Sequence, residues 1–345
     1  MALTPIYARS PYFMTITGVV ADDTRIDLYI WNDPATIPAT PTTALDKPIV
    51  YGTTADYDIS IYLREYIAHQ SYTAVTADTV VAVGEYCKCT VKTYLNDVLV
   101  ATAEYIVFDG YGYFEDGQNP VLGVAYSIPP MLTAGDYNVS DTGDSGTIGY
   151  FDDGTSTLSA VYTGLLTGGI TTIALGETVG QVPYLHPTYA AEGNKLEMKR
   201  STSLLSTYYF RIVCEGKYDV LNCDFVNRFG FWQRLVFFKA NQKEMTMSNN
   251  EYKLMPETLN YNTSDNINHS FNTNGQENIT CNTGWVDESY SEVIKELLFS
   301  EKVLVDGKPV KLSTKNAKLM THLNDKLINY QLKFDYANQM INYII

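Results

Sequence analysis

A chain of 345 residues exceeds what one core usually organises, and its 45 % hydrophobic and 13 % aromatic content, with 28 tyrosines, excludes a disordered protein. Charged residues are 18 %, and 24 basic against 39 acidic side chains leave a net charge of −15, which disfavours unaided binding to nucleic-acid phosphates. The opening Met-Ala-Leu-Thr-Pro lacks the basic region and apolar run of a secretory signal, no stretch nears the ~18 uninterrupted apolar residues of a membrane span, and five cysteines are a sparse, odd set. The expectation is a soluble protein made in a cytoplasm, with free thiols and no membrane anchor.

In chain order, residues 12–17 are β-branched and aromatic, and in 25–32 the apolar Ile26, Leu28 and Ile30 alternate with Asp27, Tyr29 and Trp31, the period of a half-buried strand. Pro34, Pro38 and Pro41 mark a loop, and the β-rich runs 81–93 and 98–108 flank Asn96-Asp97, residues that tolerate the positive φ of a tight turn. Residues 1–112 are therefore expected to form an N-terminal, Ig-like β-sandwich. The next stretch, 113–240, is an acidic, Gly- and Thr-rich second β domain, with short strands at 157–162 and 169–175. Its end is densely aromatic (Tyr208, Tyr209, Phe210, Tyr218, Phe225, Phe229, Phe231, Trp232, Phe237, Phe238), with a turn at Asn227-Arg228-Phe229-Gly230, and reads as the closing strands of a second sandwich.

Residues 241–345 are rich in Asn and Lys and carry one helix, 287–300. Tyr290, Val293, Ile294, Leu297 and Leu298 fall on one face, Glu288, Glu292, Lys295 and Glu296 are assigned outward, and Ser289 with Glu292 fits a capping box. Asp306-Gly307 between 303–305 and 308–312 signals a hairpin. In 327–336, Ile328, Tyr330, Leu332, Phe334 and Tyr336 alternate with Asn329, Gln331, Lys333 and Asp335, which fits a strand and not a helix. This strand is expected to seek a neighbour laterally, with the helix packed on the sheet of 303–312 and 327–336.

Charge is unevenly spread. No lysine or arginine lies between Lys92 and Lys195, whereas twelve acids do: Asp97, Glu104, Asp109, Glu115, Asp116, Asp136, Asp141, Asp144, Asp152, Asp153, Glu177 and Glu192. Such a segment serves solubility and mutual repulsion, or a surface that must not hold polyanions.

Chemical motifs are weak. Asp141-Thr142-Gly143-Asp144-Ser145-Gly146 contains two protease-like strings, but an aspartic dyad needs carboxylates on facing loops, and a serine nucleophile needs a positioned histidine for which only His69 lies upstream. Asp152-Asp153-Gly154 and Glu115-Asp116-Gly117 lack the ligand spacing of a calcium loop. Cys87 and Cys89 supply only two sulfurs, Cys214 and Cys223 have no nearby histidine, and His69, His186, His269 and His322 are scattered, so no zinc set forms. There is no phosphate-binding glycine loop. The aromatics of 208–238 with Arg211, Arg228 and Arg234 have the composition of a stacking surface, but a β core accounts for them better. The expectation is no catalytic residue, no metal, no cofactor and no enzyme activity.

Several blocks together resemble virion proteins of tailed phages infecting Bacteroidota, crAss-like phages among them: SPYFMTITG (10–18), IDLYIWN (26–32), YDISIYLREYI (57–67), CDFVNRFGFWQRLVFFKA (223–240), and the C-terminal run that begins NTGWVDESYSEVIKELLFSEKVLVDGKPVKLS at 282. The resemblance implies a non-enzymatic ring or tail-barrel subunit of the virion tail, assembled in the host cytoplasm as a closed ring of six or twelve copies around a DNA channel. Its C-terminal part would be a tail-tube-like β-barrel module with one helix. The partners implied are the chain itself, adjacent portal, ring or tail proteins, and DNA that passes without specific binding; the acidic 93–194 segment is expected to face outward. The competing expectation is a β-sandwich that binds host surfaces or glycans, for which Tyr111, Tyr113, Glu115, Asp116, Tyr150, Asp152 and Asp153 supply aromatics and carboxylates.

Overall fold

The computed structural model describes residues 3–69, 80–81, 84–117, 132–133, 135–139, 147–151, 157–175, 182–185, 192–213, 219–255, 262, 264, 266–314 and 327–341. The chain is mainly β, with several sheets, and among the described residues none closes into a barrel. It divides into two units: Met1–Cys214 with Asp224–Leu235 and Ser289–Glu301, and Glu215–Cys223 with Val236–Glu288 and Lys302–Ile345. The expected boundaries at 112 and 240 do not coincide with this division. Each unit is assembled from segments far apart in sequence, which composition along the chain does not register.

The first unit opens with a five-stranded sheet in the order Thr4–Tyr7, Val98–Phe108, Tyr86–Leu95, Asp23–Trp31, Thr43–Pro48, and a two-stranded sheet of Phe13–Thr17 with Thr54–Asp58. One core draws only on residues 6–107: Ile26, Leu28 and Ile30 meet Cys87, Cys89, Val91 and Val107 from the larger sheet and Ile16, Ala55, Tyr57 and Leu63 from the other segments. Alternation places Ile26, Leu28 and Ile30 inward as expected. The opposite face is less open than expected, since Asp27 and Tyr29 are also buried. Arg25 pairs with Asp27 at 3.3 Å and Lys92 Nζ lies 4.5 Å from the Tyr29 ring centroid, so long cationic side chains cover that face. Asn96 and Asp97 make the expected turn with φ of 47° and 61°.

A second sheet of this unit runs Ile170–Leu175, Leu158–Gly164, Asn194–Arg200, Ser203–Ile212, Gly135–Val139, the last pair parallel. Leu158, Ala160, Tyr162, Leu196, Met198, Tyr208 and Phe210 are buried at the period of two that strands require. The 227–230 turn is held by Asn227, whose Oδ1 accepts from the amides of Phe229 and Phe231 at 3.1 and 3.2 Å. Gly230 has φ of 90°, and a Cβ there would lie 2.7 Å from the backbone of Asp109, so this position admits only glycine.

The helix runs Tyr290–Phe299 and belongs to the first unit. Tyr290, Val293, Ile294 and Leu297 are buried as the periodicity requires, while Leu298 is half-buried. It meets the strand Gly135–Val139, where Tyr290 Oη accepts from the Asn138 amide at 2.7 Å and the Tyr137 and Tyr290 rings lie 6.3 Å apart. A hydrophobic period defines a face but not what that face meets. In addition, Glu296, assigned outward, is fully buried, and Ser289 precedes the helix without a side-chain cap hydrogen bond.

In the second unit, Val303–Val305, Lys308–Leu312, Leu327–Tyr336, Asn268–Asp287 and Gln242–Lys253 lie side by side in that order, all antiparallel. The Asp306-Gly307 turn has φ of 48° and 72°, the geometry its sequence demands. Asp306 also ties down residue 222: its amide donates to the Asn222 carbonyl at 2.8 Å and its carboxylate accepts from the Asn222 amide at 3.0 Å. The core face gathers Ile279, Cys281, Val310, Leu332, Phe334 and Phe237.

Candidate functional site

The strand Leu327–Tyr336 has the sidedness expected of it. Ile328, Tyr330, Leu332 and Phe334 are buried and Tyr336 is half-buried, opposite the more exposed Asn329, Gln331, Lys333 and Asp335. It pairs with Asn268–Asp287 between 327 and 335 on one side and, at 334–336, with Lys308–Leu312 on the other.

The open position is at the end of the sheet. Gln242–Lys253 is exposed at all twelve positions and, among the described residues, pairs on one side only, with Asn268–Asp287. Its other side presents a row of amide and carbonyl groups, a template for another strand. Met245 and Met247 share the face of Ile279, opposite Glu277 and Gly275, so the apolar core face of the sheet continues outward as exposed methionine. Gly275 leaves room for this cluster: a Cβ there would meet Met340 Sδ at 3.1 Å and Met245 Sδ at 3.6 Å. Exposed methionines adapt to varied surfaces because the thioether chain is unbranched and polarizable. Between Ser248 and Asn250 the ladder is interrupted, with Asn272 at φ 52°. Beyond that bulge Tyr252 stacks on His269 at 5.4 Å and meets Phe271 edge-on at 5.6 Å.

A second concentration of functional groups lies in the first unit around the helix C-terminus. Arg64 bridges Asp109 at 3.3 Å and Glu301 at 2.6 Å, Arg9 reaches Glu301 at 3.2 Å, and His69 Nε2 lies 3.2 Å from Asp109. Burial would raise the Asp109 carboxyl, but the hydrogen bond and charge of His69 and the charges of Arg64 and Arg9 hold it below its ordinary value. Glu296 is the opposite case. Burial pushes its carboxyl up to about 7, only partly countered by the Thr133 hydroxyl that donates to it and by Arg228 at 3.9 Å. Its Oε2 has no hydrogen-bond partner among the described residues. Arg9 lies 4.8 Å from the Tyr111 ring centroid and Lys295 3.7 Å from that of Tyr113, so the tyrosine faces are covered by cations. No nucleophile paired with a base emerges from this network; it ties the helix end to the 109–113 and 228 loops.

The remaining candidates separate. Tyr150 is buried, Tyr111 and Tyr113 are half-buried against the helix, and Glu115 and Asp116 are exposed on a single helical turn. The glycan-binding set is therefore not presented as one exposed cluster by these residues; Asp152 and Asp153 lie outside the described residues, as do the 141–146 string, His186, His322 and Cys214. Cys87, Cys89, Cys223 and Cys281 are buried thiols, and among the described residues no group of three or more His, Cys, Asp or Glu side chains is arranged to hold a metal ion. Among the described residues no helix is long and apolar enough to cross a membrane. Sequence reasoning missed Met245, Met247 and Gly275. Their signal was present as the alternation Lys243-Glu244-Met245-Thr246-Met247-Ser248, a period of two in a stretch otherwise read only as rich in Asn and Lys. Comparison of the chain with protein-family models and with curated proteins gives no match.

Proposed function

We propose that this chain is a non-enzymatic structural subunit of a phage tail or portal-proximal ring, joining identical copies into a cyclic oligomer around a DNA channel. The reading takes the β-rich first unit as sandwich-like and the second unit as a tube-forming module. In that reading the tube wall closes only across copies, when a strand of a neighbour continues the open sheet. The observation that carries it is the strand Gln242–Lys253, twelve residues long, exposed throughout and, among the described residues, paired on one side alone. Monomeric proteins usually guard such an edge with proline, inward charge or a covering loop, because an open edge recruits strands. The net charge of −15 suits a conduit from which DNA must move freely, with the acidic middle of the chain facing outward to space neighbours within a Debye length of ~8 Å. The partners in this reading are further copies of the chain and adjacent portal, ring or tail proteins, with the virion tail as its place.

The test is the oligomeric state of the purified full chain by light scattering, with negative-stain images of the product. Closed rings of one defined copy number are the expected result. A monomer at every concentration reached, or a two-fold dimer as the end product, would overturn the assignment.

A further inference from the structure

A ring of identical subunits requires a heterologous contact, in which two different patches of each copy meet head to tail; a patch that meets itself yields a two-fold pair and stops. The cyclic reading above identifies Gln242–Lys253 as one patch but leaves its counterpart unassigned. The sheet edges of the chain narrow the choice.

Among the described strands, four of six or more residues lie at the end of a sheet. Trp232–Phe237 is buried at five of its six positions and therefore covered. Thr43–Pro48 carries Asp46, Lys47 and Pro48, the charges and proline that keep an edge from recruiting strands. Two edges carry no proline. Gln242–Lys253 has Lys243 and Glu244 near its start, each in an ion pair within its own sheet, and is uncharged from Met245 to Asn250; Ile170–Leu175, paired among the described residues with Leu158–Gly164 alone, is uncharged throughout. Ile170-Thr171-Thr172-Ile173-Ala174-Leu175 has no charge and no proline, it is rich in β-branched residues, and Ile170 is 70 % exposed.

The two edges also match in length. Residues 242–248 run in unbroken register with 274–280, and only then does the bulge at Ser248/Asn250 bend the strand and interrupt its row of amides and carbonyls. This leaves a regular edge of seven residues to meet one of six. Because Ile170–Leu175 is uncharged, pairing buries no carboxylate or ammonium from that side, and the methionines at 245 and 247 conform to whatever Ile170, Thr172 and Ala174 present.

We propose that residues 242–248 of one copy add as a strand to the free edge of Ile170–Leu175 in the next copy, and that this heterologous pairing is the contact that propagates around the ring. The proposal rests on the cyclic reading, and its test separates the two. Single cysteines are placed at Met245 or Met247 in one preparation and at Ile170, Thr172 or Ala174 in another, and the full chains are mixed, assembled, mildly oxidised and resolved on non-reducing gels while assembly is followed by light scattering. At least one mixed pair is expected to give a cross-linked dimer band absent from either variant alone, within assemblies of wild-type size. Assemblies of normal size without any mixed cross-link would overturn this pairing and leave the ring standing. Cross-linking of the Met245→Cys or Met247→Cys protein with itself would show two-fold self-pairing, which overturns both. A chain that stays monomeric overturns the ring and with it the pairing.

Discussion

Two strands of one sheet separate what holds this protein together from what it offers to others. Leu327–Tyr336 sits between two partners with Ile328, Tyr330, Leu332 and Phe334 buried; Gln242–Lys253 lies at the end of the sheet and buries nothing. Both are long, both alternate in polarity over part of their length, and both lie within the stretch rich in Asn and Lys. The difference is position in the sheet. An interior strand converts alternation into a core, and an edge strand with the same alternation carries its apolar face into solvent. The lesson is that period identifies a strand, whereas neighbours decide whether its apolar residues stabilise the fold or remain available.

The comparison is broken most severely from the interior. Phe334 is fully buried and meets Phe237 edge-on at 6.2 Å, so Phe334→Asp removes a packed ring and buries a charge with no partner. A loss of at least about 5 kcal/mol is expected, enough to prevent the second unit from folding. Circular dichroism melts and protease resistance would check this; a melting temperature within a few degrees of wild type would refute the assigned core.

Next comes the turn where the loops at 109 and 230 interlock in the first unit. Gly230→Ala places a Cβ 2.7 Å from Asp109 backbone atoms at φ 90°, combining overpacking with a left-handed conformation. A cost of about 4 kcal/mol is expected from the two together. Gly307→Ala supplies the control: it shares a positive φ of 72° but meets nothing within 4 Å, so about 1 kcal/mol is expected, read from urea midpoints.

Glu296 gives a smaller effect with a defined pH dependence. Its carboxyl is raised from 4.5 in the unfolded chain to about 7 in the fold, so the unfolded state releases its proton first. Stability from this group is fully present below pH ~4.5 and is lost as pH rises through about 7, a change on the order of 3 kcal/mol. The Asp109 carboxyl, lowered in the fold, works in the opposite sense and contributes stability that is lost as pH falls. Glu296→Gln is expected to flatten the alkaline slope, raising stability at pH 8 and leaving it nearly unchanged at pH 4.5. Thermal melts across that range check it, and an unchanged slope in the variant would show that Glu296 stays ionised in the fold.

Features decided within a few residues were legible in the sequence. The turns at Asn96-Asp97 and Asp306-Gly307, the alternation of Leu327–Tyr336 and the apolar stripe of Tyr290, Val293, Ile294 and Leu297 depend on local φ and period alone. What the stripe packs against was not legible, because Asn138 and Tyr137 lie about 150 residues from Tyr290. The same holds for Glu296: helical spacing sets a glutamate next to exposed Glu292 and half-buried Lys295, and only the arrival of Thr133 and Arg228 from distant segments makes its site buried. Edge status is likewise a property of topology, so Met245 and Met247 carried a readable period but no readable role.

The smallest effect on stability separates the two strands most clearly. Met247 is 63 % exposed and lies opposite Gly275, so Met247→Ser removes little buried area and is expected to cost under about 0.5 kcal/mol. Were the methionine face only a loosely packed margin of the core, nothing else would change. If that face belongs to the contact between copies, each ring interface loses apolar burial and the loss repeats at every interface, so assembly weakens although the subunit does not. Paired measurements decide it: urea denaturation of the subunit against the concentration dependence of its oligomer for wild type, Met247→Ser and the double change Met245→Ser/Met247→Ser. Unchanged folding with a graded shift of assembly to higher concentration is the expected pattern. Equal assembly of all three would remove the methionines from the interface and leave pairing of the strand backbone as the whole of the contact.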